Sequence, residues 1–470
     1  MAELMVVMLA GAVQENNMEN GYILSNEILG HKINDSKYDH KYSYKASGSL
    51  NDLELFTQGQ PIDLYKELRE NAPVYFHPKM LTDPEPGYWV LTKYEDIKYV
   101  SMNPKIFSSQ YSTGNLLTLG TEENRHPKLF KSAIDHMLNL DGEMHLGLRK
   151  EHMPFFKPGY VSELQKKVSL KVTELLDNIA PLGECNLVHH VSQQLPIYTL
   201  SEILGIPKED RQKLVSWMEF LELAQYFTYE MIKEQNEGKS ESSPDPAMID
   251  MFNAMVDEMF DYGRFILKNK RENPSDDLLS AIANAKIDDK KLTDEFLDGS
   301  WLLIIFAGND TTRNTMSGGI KLLHENQSQK ELLMQNLDLL PNFINETVRC
   351  VSPVIHMRRT SLEETEINGQ RIGPYEKISL WYGAANRDPD IFENPDQFNI
   401  LRENADKHLA FGIGRHTCLG KPVALMQLQE FYSQFLVRFK DFEMNGDWKV
   451  APNNFVHAIQ EMPIKFTPIK

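Results

Sequence analysis

The chain has 470 residues, and 49 Lys and Arg against 67 Asp and Glu leave a formal net charge of −18. Nucleic-acid affinity comes largely from cations that neutralise phosphates, so no nucleic-acid partner is expected. Only Cys185, Cys350 and Cys418 carry thiols, which excludes a disulfide scaffold and a four-thiolate metal centre and points to a reducing compartment.

Taken in chain order, the first apolar stretch, residues 4–13, is roughly half of what a bilayer requires. It has Glu3 before it and no Lys or Arg within it, so it lacks the basic start of a signal peptide. The apolar run 301–307 is also too short to span, with Asp298 and Asp310 on either side. No membrane span and a cytoplasmic location are expected. Residues 1–50 read as an N-terminal extension, flexible or wrapping, with order beginning near Asp52. Residues 51–470 read as a single domain.

Residues 63–71 predict a helix. Residues 74–76 and 88–92 predict a strand pair around the breaker-rich turn 83–87. Apolar residues at helical spacing predict helices over 161–179, 195–204 and 211–229. The polar segment 234–246 has no apolar face and reads as a mobile surface loop. Helices resume over 247–269 and 293–323. After Pro353 come short strands over 365–367, 370–372 and 378–382, then an irregular segment over 387–404. A last helix follows Cys418 through Leu436. The class is mainly α with minor β.

Chemistry concentrates in Phe411-Gly412-Ile413-Gly414-Arg415-His416-Thr417-Cys418-Leu419-Gly420. The glycines allow a backbone path that side chains would block. A helix begins just beyond, with Pro422 near its first turn. Cys418 is thus placed near a helix N-terminus, where the dipole and free N–H groups favour the thiolate. A metal ligand and a small buried apolar residue are both open readings of a lone Cys. The second segment is Ala307-Gly308-Asn309-Asp310-Thr311-Thr312. Leu303, Ala307, Asp310, Thr311 and Asn314 share one helix face. Small Ala307 and Gly308 let a flat group approach, and Thr311 can turn its hydroxyl to the carbonyl four residues back. The third is Glu346-Thr347-Val348-Arg349, by itself an ordinary intrahelical pair. The fourth sets His145 and Arg149 one turn apart and adds Arg359, with Arg358 as its alternative. Cationic donors of this kind suit carboxylates.

The cysteine segment resembles the haem-binding loop of the cytochrome P450 superfamily, F-G-x-G-x-H-x-C-x-G, with every specified position filled. The other segments stand in the order found there, and the chain is similar to soluble bacterial members from about residue 60 onward. The resemblance implies a helical bundle around haem b (iron protoporphyrin IX) plus a small sheet region. It implies that Cys418 is the axial ligand of the haem iron. It places His416, His145, Arg149 and Arg359 at the haem propionates, with Phe411, Ala307 and Gly308 against the cofactor. Asp310 and Thr311 become the acid–alcohol pair that delivers protons to bound dioxygen. Glu346, Arg349 and Arg402 become a folding lock. Leu303, Phe306, Ala307, Val354, Ile355 and Val456 are candidates for a substrate pocket, joined by Ala458 and by residues near 116–117. Phe227, Tyr229 and the 234–246 loop are candidates for a lid. Apolar linings suit a lipophilic substrate.

The run Ala-Gly-Asn-Asp-Thr-Thr-Arg-Asn is similar to hydroxylases of alkanes, fatty acids, branched lipids, terpenes and sterol side chains, and Met316-Ser317-Gly318-Gly319, Met357-Arg358-Arg359 and Asn386-Arg387-Asp388 resemble the alkane and fatty-acid group most. The function implied is insertion of one oxygen atom of O2 into a C–H bond. Electrons would come from NAD(P)H through a ferredoxin reductase and a ferredoxin, which would meet Arg415, Lys421, Lys150 and Arg149. A peroxide-driven peroxygenase and a non-catalytic haem sensor remain alternatives.

Overall fold

The computed structural model describes residues 44–77, 87–110, 127–132, 135–218, 220, 246–287 and 289–468. The expectations for residues 1–43, the turn at 83–86, residues 116–117, Phe227, Tyr229 and the loop over 234–245 lie outside the described residues. The architecture is mainly helical with small sheets.

The helices follow their apolar periodicity. The ones that frame the site are α1 (Ile62–Asn71), α2 (Tyr94–Met102), α3 (Gly142–His152), α4 (Pro158–Ile179), α5 (Gln194–Leu204), α6 (Pro246–Glu272), α7 (Leu278–Asn284), α8 (Asp294–Glu325), α9 (Leu340–Val351) and α10 (Lys421–Arg438). In α4 the buried residues Val161, Leu164, Val168, Val172, Leu175, Leu176 and Ile179 step by three and four. That stripe packs on α10, which buries Met426, Leu428, Phe431, Phe435 and Leu436. The 211–229 helix is present over 211–218 and at 220, and its remainder lies outside the described residues.

The axis of the molecule is α8, a helix of 32 residues. Thr293 opens it by accepting the Phe296 N–H at 3.3 Å, and Asp294 and Glu295 sit in its positive first turn. Further along, the Tyr432 hydroxyl of α10 donates to the Thr315 and Met316 carbonyls at 2.9 Å each. Gly308 faces Leu200 of α5, where a Cβ would stand 2.9 Å from the leucine Cδ1. The small residue therefore serves a helix crossing.

Strands β1 (Val74–His77), β2 (Tyr88–Leu91), β3 (Phe107–Ser108), β4 (Glu184–Asn186), β5 (His356–Ser361), β6 (Thr365–Ile367), β7 (Gln370–Ile372), β8 (Lys377–Trp381), β9 (Glu443–Met444), β10 (Lys449–Ala451), β11 (Ala458–Glu461) and β12 (Pro463–Lys465) complete the frame. The main sheet runs β1-β2-β8-β5-β3. β2 and β8 are parallel, with Ile378 opposite Trp89, and the other neighbours are antiparallel. β12 joins β9 to β4, and β10 pairs with β11.

Residues 44–51 pack against the body of the protein. The Tyr44 hydroxyl donates to Glu67 at 2.9 Å, and Leu50 is buried with Phe56, Leu64 and Trp381. The apolar side chains among polar residues 44–50 find this sheet-side core. The sequence reading also missed α2, because its cap comes from far away. The Asp388 carboxylate accepts the Tyr94 N–H at 2.9 Å across 294 residues of chain.

Candidate functional site

The cysteine loop is held on two sides. The Cys418 N–H donates to the Phe411 carbonyl at 2.8 Å. Gly412 and Gly414 have φ of +66° and +79°, and a Cβ on Gly414 would stand 2.7 Å from the Ser101 carbonyl of α2. Only glycine fits that approach without strain. Lys421 lies over the Phe411 ring at 5.3 Å.

Cys418 is exposed although protein surrounds it, so its sulfur faces the interior of the molecule. The Gly420 and Lys421 N–H groups donate to the sulfur at the start of α10, as the sequence predicts. The net effect on the thiol differs from the expectation. Burial raises its pKa and outweighs those N–H groups and the charges of Arg149 and Lys421. A thiolate here therefore needs a further positive charge, and metal coordination supplies one by displacing the proton.

Beside the cysteine stands a cationic edge. The His145 and His416 rings stack with centroids 4.1 Å apart. His416 Nε2 lies 3.7 Å from Asp141, whose carboxylate also accepts the Ser109 N–H at 3.0 Å and the Ser108 hydroxyl at 2.5 Å. Arg149 donates to the Thr417 carbonyl at 2.7 Å. Arg359 is buried, with Tyr382 and Asp141 as charged or ionisable neighbours. Strand alternation separates the two adjacent arginines: Arg358 lies over the Tyr88 ring at 4.5 Å, and Arg359 adjoins His416. Burial, with the nearby His416 and Arg149, pushes His145 down to about 3, so its ring is neutral at pH 7. His145 Nδ1 is buried without a hydrogen-bond partner among the described residues. The sequence reading missed Asp141, although the Asp-Gly pair ahead of α3 is a helix-start signal.

On α8 the Thr311 hydroxyl reaches the Ala307 carbonyl at 3.4 Å. Ala307 is exposed in mid-helix, so its face of α8 stays open. Asp310 accepts from Asn309 Nδ2 at 3.1 Å and lies 3.5 Å from the Arg313 guanidinium. Burial raises the Asp310 carboxyl against the lowering effect of Arg313 and Asn309. Such a carboxyl can take up and release a proton nearer neutral pH than an exposed one.

The apolar candidates divide. Leu303 and Phe306 are half-buried on α8. Val354 and Val456 form a single antiparallel bridge, and Ala458 begins β11. Ile355 turns the other way, 1% exposed in the cluster of Leu50, Phe56 and Trp381, because neighbouring residues of an extended segment point to opposite faces. It leaves the pocket set.

Glu346, Arg349 and Arg402 converge. Arg349 forks onto the Glu346 carboxylate at 2.7 and 2.8 Å, and Arg402 Nε reaches both oxygens at 3.2 and 3.1 Å. The spare guanidinium protons go to the carbonyls of Asn386, Pro395, Glu393, Asn394 and Gln397. This network pins the segment before the cysteine loop to α9. Glu346→Gln leaves two buried arginines short of one charge. It is expected to cost about 3–5 kcal/mol in urea unfolding. An unchanged unfolding midpoint would remove the network from the folding role.

A haem fits these residues. The sulfur lies beside the cationic edge, with Arg149 near enough to act on the thiol. That edge holds two buried or half-buried arginines and two imidazoles, with Asp141 as the neighbouring carboxylate among the described residues. The excess positive charge and the unpartnered His145 Nδ1 suit the carboxylates at one rim of a porphyrin. The open Ala307 face suits its flat surface.

Comparison with known proteins agrees with this geometry. The family profile described as Cytochrome P450 matches residues 321–467. Linalool 8-monooxygenase of Pseudomonas putida is 31% identical over 89% of this chain and 98% of its own. A steroid C26-monooxygenase of Mycobacterium tuberculosis is 30% identical over 74% of this chain and 86% of its own. Among solved structures, a Mycobacterium marinum cytochrome P450 in complex with pseudoionone superposes with a TM-score of 0.78 at 29% identity, covering 91% of this chain and 99% of that one. Cytochrome P450-153 from Novosphingobium aromaticivorans gives 0.75 at 27% identity, covering 89% and 98%. Among the described residues no helix is long and apolar enough to cross a membrane.

Proposed function

The chain belongs to the cytochrome P450 family of monooxygenases, and on that premise we propose that it hydroxylates a lipophilic small molecule: a terpene, a sterol side chain, a fatty acid or an alkane. The observation that carries this reading is the interior-facing Cys418 sulfur beside the cationic edge of His145, Arg149, Arg359 and His416. Haem, when bound, supplies the oxygen activation and the electron chemistry, with O2 as co-substrate.

The chain's own residues do the rest. Cys418 holds the iron as a thiolate, and the cationic edge holds the propionates. Phe411 packs beside the sulfur loop. Asp310 stores a proton and Thr311 passes it toward the open face at Ala307. Leu303, Phe306, Val354 and Val456 bind and orient an apolar chain and exclude water. The relatives named for linalool and steroid oxidation support a lipophilic substrate class. Electrons come from NAD(P)H through a ferredoxin reductase and a ferredoxin. Arg415 and Lys150 are the exposed cations on the cysteine side that suit an acidic carrier. The free cysteines suit a reducing, cytoplasmic setting.

A substrate-binding difference spectrum on the haem protein tests the reading. One of the four lipid classes is expected to give a low-to-high-spin shift. No shift with any class, beside a sound ferrous–CO spectrum, rejects the substrate class and keeps the ligation. Thr311→Ala is expected to divert most reducing equivalents to peroxide, read as the ratio of product formed to NAD(P)H consumed. An unchanged ratio takes the proton role from Thr311. High turnover with peroxide alone would favour a peroxygenase.

A further inference from the structure

We propose that Asn314 is a positioning residue that sets the distance between the Asp310–Thr311 turn and the apolar wall around Val456 and Ala458. It thereby governs which lipophilic substrates the site accepts; the inference rests on the oxygenase reading above.

Asn314 lies one turn beyond Asp310 and Thr311 on the same face of α8 and is fully buried. Its Oδ1 accepts the Ile459 backbone N–H at 2.8 Å, across 145 residues of chain. Its Nδ2 has no hydrogen-bond partner among the described residues, so the bond to Ile459 is what orients the amide.

Ile459 lies in β11 directly after Ala458. The rest of this wall hangs from the segment following α9. Val456 bridges to Val354, the His457 N–H donates to the Pro353 carbonyl at 2.8 Å, and the Ile355 N–H donates to the Phe455 carbonyl at 2.8 Å. Asn314 therefore ties the helix that carries the acid–alcohol pair to this wall by a buried side-chain hydrogen bond.

The helix cannot follow a displaced wall. The Tyr432 hydroxyl fastens its backbone at Thr315 and Met316, and Ser317 Oγ meets Ser192 Oγ at 2.7 Å. An apolar side chain at 314 would leave the buried Ile459 N–H without its acceptor, and moving β11 is the remaining way to relieve that cost. The wall, not the helix, then shifts.

The test compares Asn314→Leu, Asn314→Ser and Asn314→Asp with the natural chain. Leu matches the size and cannot accept, Ser is too short to reach, and Asp keeps an acceptor at Oδ1. Amide exchange over residues 456–461 is read first, without ligand, and should quicken in the Leu and Ser variants only. Spin-shift titrations with linalool, a steroid and a long-chain fatty acid follow. The Leu and Ser variants are expected to bind the best ligand about tenfold more weakly, equivalent to about 1.4 kcal/mol. The Asp variant should match the natural chain.

Natural affinity and exchange in the Leu and Ser variants would overturn the proposal. So would equal weakening in all three. Failure of both Leu and Ser variants to give the native ferrous–CO band makes Asn314 a folding residue and also overturns it. Absence of that band in the natural chain overturns the oxygenase reading itself, a result separate from the three above.

Discussion

Cys418→Ser is expected to abolish the native ferrous–CO band and all oxygenase activity while leaving the fold of the chain intact. The substitution exchanges one atom for a smaller one in a loop whose path is set by other groups. The Cys418 N–H to Phe411 carbonyl bond involves no side chain, and Gly412 and Gly414 keep their positive φ angles. A stability change below about 1 kcal/mol in urea follows, as for other near-isosteric changes. The chemical change is large. A serine hydroxyl cannot become the anionic sulfur donor that pushes electron density onto iron. Even the cysteine needs help, since burial raises its pKa. Iron binding should therefore release about one proton from the natural chain and none from the Ser variant at pH 7, measurable by calorimetry in buffers of different ionisation enthalpy. A native band in the Ser variant would falsify thiolate ligation by Cys418.

That case also shows what the sequence can display. The Gly-rich loop is legible because its needs are local: left-handed backbone at Gly412 and Gly414, a helix start at Lys421, and a sulfur between them. The Thr311 back-bond is legible for the same reason, since both groups lie within one turn. The long helices are legible because burial repeats every three or four residues along one face.

What the sequence conceals are partners far apart in the chain. Asp141 reads as a helix start, and nothing local shows that it also receives Ser108 and approaches His416. Asp388 reads as loop, yet it caps α2. Asn386 donates to Ser352 Oγ at 2.8 Å and accepts the Leu409 N–H at 2.6 Å, so it braces the approach to the cysteine loop. Gly308 reads as a small residue, and nothing local shows that Leu200 of α5 packs where its Cβ would stand. Ile355 shares its apolar character with Val354, and only the direction of the extended segment separates a wall residue from a core residue. Composition cannot report direction.

Acid should unfold this protein through its histidines, and the expected loss is about 4 kcal/mol between pH 6.5 and pH 5.5. His152, His408 and His457 are buried, and burial pushes their pKa down to about 4, about 3 and about 4. Burial also holds His356 well below the usual imidazole range. In the unfolded chain each returns to about 6.5. Above that pH both states are neutral at these positions and contribute no pH dependence. As pH falls below it, the unfolded chain binds protons that the folded chain refuses. Each imidazole then removes up to about 1.4 kcal/mol per pH unit, until pH falls to its own folded pKa. His145 adds nothing to this slope in the haem-loaded protein, because a bound carboxylate would raise its pKa. The check is the urea midpoint at pH 7.0, 6.5, 6.0 and 5.5. A flat profile down to 5.5 would mean that these rings are protonated in the folded state and stand in wetter surroundings than the packing shows. Replacing His457 by Asn should remove about a quarter of the slope, because the amide can occupy a similar space without titrating. If the slope persists undiminished, the protons are being bound elsewhere.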